Sequence, residues 1–163
     1  MTEKKIEIRY IATTADQLPE ADRRLIEEAK GMTYKSYAPY SKFHVGAAIL
    51  MADGSIATGS NQENAAYPSG TCAERTACYH ASATHPGVAM KKIAVAARNV
   101  AGFRSSADAP FQPAPISPCG ACRQALLEYE HLYGDIEVIL FGEDDIYIFP
   151  SVKSLLPFSF SEF

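Results

Sequence analysis

Val45-Gly46-Ala47-Ala48-Ile49-Leu50-Met51 and Ile56-Ala57-Thr58-Gly59 stand on either side of Asp53-Gly54. Asp-Gly between two apolar runs is a strong hairpin signal, because glycine takes the positive φ that a two-residue turn demands. Outward from this hairpin, helical and extended patterns alternate. Upstream, Leu25, Ile26, Ala29 and Met32 recur at helical spacing, which predicts a helix over 21–32, ended by Tyr37-Ala38-Pro39-Tyr40-Ser41. Downstream come a loop over 61–70, a helix over 72–83 closed by His85-Pro86, a strand over 92–97 and a long proline-bearing loop over 98–117. A further helix is expected over 119–130, then strands over 136–141 and 146–149. Ser151 can cap a last short helix through Leu156. Residues 4–10 fit either a short strand or a mobile end. Strands alternating with helices predict an α/β fold: one mixed sheet with helices on its faces.

The 163 residues, 47% hydrophobic and 21% charged, suffice for one domain with a full core. No repeat or linker divides them, so 1–163 is expected to be one domain, with 1–20 a possible N-terminal extension. A net charge of −4 speaks against affinity built on the phosphates of long nucleic acid. A small neutral or weakly charged substrate fits better. The longest apolar run, over 45–52, is far too short to span a membrane. The first ten residues lack the apolar centre of a secretory signal, so the cytoplasm is the expected compartment. There the four cysteines should be reduced, as ligands or buried thiols.

Two cysteine motifs carry the chemistry: Cys72-Ala73-Glu74-Arg75, and Pro118-Cys119-Gly120-Ala121-Cys122-Arg123-Gln124. Three thiols could share one metal, and zinc with three protein ligands keeps a fourth position for water. Glu74, a carboxylate beside such a position, is a candidate proton carrier. Both motifs fall where helices are expected to begin. There, orphan backbone N–H groups and the positive end of the helix dipole favour thiolate over thiol. Three thiolates around Zn²⁺ leave one net negative charge, which Arg75 or Arg123 would offset. Cys78 follows Cys72 by six residues, about 240° around a helix and roughly 9 Å along it, which is poor geometry for sharing the metal. It is expected to be a buried small residue. The four histidines show no ligand spacing.

These motifs resemble the zinc site of cytidine deaminases of the small homotetrameric kind. Other segments extend the likeness. Tyr40-Ser41-Lys42-Phe43 leading to Val45-Gly46-Ala47-Ala48 is similar to the family's early strand, and Asn61-Gln62-Glu63-Asn64-Ala65-Ala66-Tyr67-Pro68 to its nucleoside-binding segment. Leu155-Leu156-Pro157 with Phe160 is similar to its C-terminal end. Coverage runs over roughly residues 26–160. The resemblance implies a three-layer α/β/α sandwich around one mixed, mostly five-stranded sheet. It implies one Zn²⁺ per subunit on Cys72, Cys119 and Cys122, with Glu74 moving protons during hydrolysis of cytidine or deoxycytidine to uridine or deoxyuridine and ammonia. It further implies that Asn61 and Glu63 bind sugar hydroxyls, that Phe43 stacks on the base, and that Ala65 offers backbone groups to the pyrimidine edge. Tyr67 would contact the sugar or wall the pocket, and Arg75 would compensate charge. Phe160 would reach a neighbouring subunit's site in a homotetramer, and the crowding of Phe158, Phe160 and Phe163 also asks for a docked tail.

Two departures stand out. The loop over 98–117 is longer than the family's usual connection by roughly ten residues, which places it by expectation at the pocket mouth or a subunit contact. The first twenty residues have no counterpart. Three rival readings remain: a structural zinc module using Cys78 as fourth ligand, a deaminase of nucleic acid, and a deaminase of blasticidin-like nucleosides. The first leaves Glu74 without purpose. The second conflicts with the acidic balance and with cysteine at position 72. The third suits the Asn61 segment less well than a free sugar does.

Overall fold

The computed structural model describes residues 1–161. Six strands form one mixed sheet: β1 (Ile11–Thr13), β2 (Phe43–Met51), β3 (Ile56–Ser60), β4 (Met90–Asn99), β5 (Glu137–Phe141) and β6 (Ile146–Phe149). Their order is β1-β6-β5-β4-β2-β3, and only β4 and β5 run parallel. Three helices, α1 (Glu20–Thr33), α2 (Ala73–Thr84) and α3 (Gly120–Tyr133), complete the fold. Asp53-Gly54 makes the expected turn: the Asp53 carboxylate accepts from the Ser55 N–H at 3.0 Å and the Ser55 hydroxyl at 2.6 Å.

The sheet is apolar on both faces, so it is buried between two helix layers. Alternate residues of β4 divide the core. Ile93, Val95 and Ala97 join Val45, Ala47 and Ile49 in a cluster with α2 and α3, while Ala94 and Ala96 join Ala48 in a cluster with Leu25, Ile26 and Ala29 of α1. Small side chains on the α1 face let that helix approach closely. At Gly46 a Cβ would lie 2.0 Å from the Ala29 carbonyl oxygen. The opposite face repeats the device at Gly59, where a Cβ would lie 2.3 Å from the Ala77 nitrogen and 2.7 Å from the Ala73 oxygen. Gly59 therefore sets how near the sheet the first turn of α2, with Glu74, can sit.

The sheet has one strand more than the five expected, and the extra strand comes from the first twenty residues. Residues 4–10 form no strand; β1 lies just after them and pairs antiparallel with β6, Ala12 opposite Tyr147. Tyr10 anchors this edge by packing its ring on Tyr147 and Phe149, at centroid distances of 5.0 and 5.2 Å. β4 also runs further than expected and takes in Arg98, a buried cation with no carboxylate partner among the described residues. Its guanidinium lies over the Tyr34 ring at 3.7 Å and donates to Thr33 Oγ1 at 2.9 Å and to the Ser106 carbonyl. Arg98 thus folds the following loop onto α1. After β6, Ser151 caps a short 3-10 helix, Val152–Leu155, by accepting from the Ser154 N–H at 3.3 Å.

Candidate active site

Cys72 and Cys119 occupy equivalent places, each the N-cap of its helix with extended backbone. Their carbonyls accept the first intrahelical bonds, from Thr76 and Arg123, both at 3.0 Å. An N-cap side chain ordinarily turns back to the helix N–H groups, yet neither cysteine does so. The thiols face each other instead. Cys72 Sγ lies 3.9 Å from Cys119 Sγ, which lies 3.4 Å from Cys122 Sγ. These three sulfurs are mutually within 4.8 Å and form the one such cluster among the described residues. Tetrahedral zinc–thiolate bonds of about 2.3 Å would separate the sulfurs by about 3.8 Å, so the donor set and its spacing fit zinc. Cys78 stands outside the cluster; burial pushes its thiol up to about 12.

Charge is organised around this cluster. A hydrogen bond from Cys122 and the nearby guanidinium of Arg75 draw the Cys72 thiol down to about 5, and Cys122, as the donor in that bond, is pushed up. Arg75 Nη2 is 4.0 Å from Cys72 Sγ. Arg123 has a different employment: it donates to the carbonyls of Pro118 at 2.8 Å and Leu155 at 2.6 Å, not to the thiols. Glu74, in the first turn of α2, is 4% exposed. Burial, and then the negative charge on Cys72, raise its carboxyl above the ordinary value. A carboxyl so placed, buried beside the thiol cluster, holds its proton more readily than a free one and is suited to passing it on.

Cys72, Glu74, Arg75 and Cys119 open onto one cavity of about 710 Å³ that also exposes Phe43, Asn61, Glu63 and Tyr67. That volume suits a small organic ligand. Glu63 is tied to the preceding loop. Burial opposes its charge, but the Ser41 hydroxyl and the N–H groups of Tyr40 and Ser41 outweigh that and hold the carboxyl below its usual range. The Tyr40 and Ser41 N–H groups both donate to Oε2, at 2.8 and 3.2 Å. Asn61 spends both ends of its amide on β2, accepting from the Val45 N–H at 2.8 Å and donating to the Phe43 carbonyl at 2.9 Å. It therefore fixes the backbone that carries the Phe43 ring. Spacing alone gave no sign of this, because the partner is sixteen residues away.

Of the expected substrate-binding residues, two do not line the cavity of their own chain; among the expected metal ligands, Cys122 lies behind its wall. Ala65 sits beside it in sequence but outside its wall, and Phe160 lies on the C-terminal tail beside α3. Phe163 lies outside the described residues. Sequence reasoning in turn missed Ile116 and Ser117, which line the cavity at the end of the long loop. Their position immediately before Pro118-Cys119 was the available clue.

The family model of the cytidine and deoxycytidylate deaminase zinc-binding region matches residues 19–133. The chain belongs to this family. Among curated relatives, a cytidine deaminase of Sporosarcina psychrophila is 38% identical over 85% of this chain and 90% of its own length. One from Halalkalibacterium halodurans is 39% identical over 73% of this chain and 86% of its own. A crystal structure of cytidine deaminase from Burkholderia pseudomallei superposes with a TM-score of 0.67 at 40% identity, covering 84% of this chain and 97% of that one. The Mycobacterium tuberculosis enzyme gives 0.63 at 28% identity, covering 85% and 96%. Together the family match and the three-sulfur cluster identify this cytidine deaminase family member as a zinc protein. No helix among the described residues is long and apolar enough to cross a membrane.

Proposed function

We propose that this chain catalyses hydrolytic deamination of cytidine and 2′-deoxycytidine, giving uridine or 2′-deoxyuridine and ammonia. The observation that carries the reading is the placement of Glu74. It is a buried carboxyl with a raised pKa, in the same cavity as the thiol cluster and the Asn61–Glu63 edge. Bound on Cys72, Cys119 and Cys122, one per chain, zinc supplies Lewis acidity that lets water attack C4 of the pyrimidine. Glu74 takes the proton from the attacking water and hands it to ring N3. It then carries the second proton to the departing amino group, so water is consumed and ammonia leaves. Arg75 withdraws charge from Cys72, which keeps the three-thiolate set from quenching that acidity.

Phe43 is assigned to stack on the base, and Glu63 to bind a sugar hydroxyl through the Oε1 oxygen that the Tyr40 and Ser41 N–H groups do not use. Asn61 both faces the sugar and holds the Phe43 backbone. Tyr67 walls the cavity, and Ala65 offers backbone polarity at its rim. The reaction belongs to nucleoside salvage in the cytoplasm, where the reduced cysteines this site needs persist. The chain forms one catalytic domain, 1–163, with residues 1–20 as an extension that adds β1. Assembly into a homotetramer, with Phe160 lent to a neighbour's cavity, is supported by exposed aromatic side chains at the cavity mouth, Tyr40 and Tyr67, and on the tail, Phe158 and Phe160.

The test is ammonia release and ultraviolet change with cytidine, deoxycytidine, cytosine, CMP and a blasticidin-like nucleoside, using zinc-loaded protein. Turnover of the first two is expected. Zinc-loaded protein inert toward both nucleosides contradicts the proposal.

A further inference from the structure

The chain enters the wall of the cavity through a turn of unusual backbone. Lys42, the residue before Phe43, has φ 57°, and no other non-glycine residue among the described ones has a positive φ. In that left-handed region Cβ crowds the following carbonyl oxygen, so a residue with a side chain stays there only where its surroundings over-determine it. Here they do. The Tyr40 and Ser41 N–H groups donate to Glu63 Oε2, the Lys42 N–H to the Ala38 carbonyl at 3.1 Å, and the Phe43 N–H to Ser41 Oγ at 3.1 Å. Every N–H from Tyr40 to Phe43 is thus spent within the turn or on Glu63. From the other side, the Lys42 carbonyl accepts from the Val100 N–H at 2.8 Å, just past the end of β4.

Lys42 is exposed and does not line the cavity, whereas Phe43 does. The strained residue therefore serves its neighbour. Moving φ from 57° to the ordinary value near −60° would rotate the chain about one bond by about 120°. The Phe43 ring, one residue on, would then leave its place in the wall. Phe43 is held beyond the turn as well, because its carbonyl accepts from Asn61 Nδ2 at 2.9 Å. A ring fixed on both sides is pre-organised for a flat partner and has little freedom left to lose on binding it.

We infer that Lys42 is a positioning residue: its left-handed backbone, clamped between Glu63 and Val100, aims Phe43 into the substrate cavity. This rests on the reading of Phe43 as the residue that stacks on the base. Glu63 anchors the turn through Oε2 and is assigned the sugar through Oε1, so the base and sugar contacts share one support. The long loop touches the cavity from both of its ends, through Val100 behind Phe43 and through Ile116 and Ser117 in the wall.

Substitutions at position 42 of full-length, zinc-loaded protein separate backbone from side chain, with KM and kcat for cytidine, zinc content and Tm as readouts. Lys42→Gly, Lys42→Asn and Lys42→Ala remove the ammonium but leave the left-handed backbone open, so each should keep the wild-type KM. A β-branched residue is an outlier at positive φ. Lys42→Val should therefore raise KM about tenfold, the scale of one aromatic contact, with kcat and zinc content nearly unchanged. Lys42→Thr, β-branched but polar, serves if the valine variant folds poorly. Phe43→Ala should raise KM at least as much, and adding Lys42→Val to it should cost nothing further, because position 42 acts only through the ring. A raised KM in Lys42→Gly would assign the effect to the lysine side chain and overturn the inference. So would an unchanged KM in both β-branched variants, a valine effect that adds to that of Phe43→Ala, or a loss of kcat and zinc matching the rise in KM. If Phe43→Ala itself leaves KM unchanged, the reading of Phe43 falls and this inference with it. Unaltered protein assayed alongside reports on the activity itself, so none of these outcomes is confused with failure of the proposed reaction.

Discussion

Arg75 holds Nη2 4.0 Å from Cys72 Sγ, across the first turn of α2. The guanidinium is thus carried by the same turn that supplies the thiol and the carboxyl of Glu74, and its distance from the sulfur is set by helix geometry. Replacing it with glutamine removes charge without removing a ligand. Arg75→Gln should keep one zinc per chain and lose about ten- to a hundred-fold in turnover, the usual cost of disturbing a group that supports a metal ligand. Zinc analysis beside kcat measures both; unchanged turnover would remove Arg75 from the mechanism.

Metal-free protein should show the same pairing in thiol reactivity. Thiolate is the nucleophile, so a pKa lowered to about 5 extends the alkylation of Cys72 far into acid. Iodoacetamide labelling followed by peptide mass spectrometry should give a half-point for Cys72 near pH 5, moved upward in Arg75→Gln. Cys78 should stay unlabelled at neutral pH, being buried and raised to about 12. A Cys72 half-point near the ordinary thiol value of about 8.5 would contradict this electrostatic picture.

Gly59 makes the site depend on sheet packing. A methyl group there meets backbone of α2, at Ala77 nitrogen and Ala73 oxygen, and backbone cannot swing aside as a flexible side chain can. Gly59→Ala should destabilise the protein by about 1–3 kcal/mol and lower zinc content by displacing the first turn of α2. Denaturant unfolding with zinc analysis tests both effects. Full stability and full zinc would mean that α2 is not held as described.

Glu74 should cost stability where it is charged. Its folded-state pKa is raised, so its contribution is fully favourable only below the ordinary value of 4.5 and is lost as pH rises through the folded value. In metal-free protein at neutral pH, Glu74→Gln should therefore raise Tm, by about 2–4 °C. The gain should shrink as pH falls through the raised folded value and be gone once pH is below 4.5. A Tm lowered by the substitution at neutral pH would show that the charged carboxyl has a compensating partner.

Much of the fold was legible because local signals and burial agree. Apolar runs in β2 and β4, helical spacing in α1 and the Asp53-Gly54 turn each mark an element that tertiary packing then keeps. Cys72 and Cys119 could be placed at helix starts for the same reason. β1 was illegible because three residues at an exposed sheet edge carry no alternation worth reading; its place comes from Tyr10 packing on β6. Arg98 reads as the first residue of the long loop, and only its contacts with Tyr34, Thr33 and Ser106 make it a buried hub at the end of β4. Asn61 and Gln124 were hidden likewise. Their amides are spent on backbone groups sixteen and thirty-six residues away, and no spacing rule reports that.

The most direct test of the central claim is Glu74→Gln in zinc-loaded protein, assayed on cytidine with zinc measured in the same sample. The account predicts that one zinc per chain is retained while turnover falls by several orders of magnitude, because the proton carrier is lost and the metal ligands are not. Turnover close to that of the unaltered protein, with zinc in place, would contradict it.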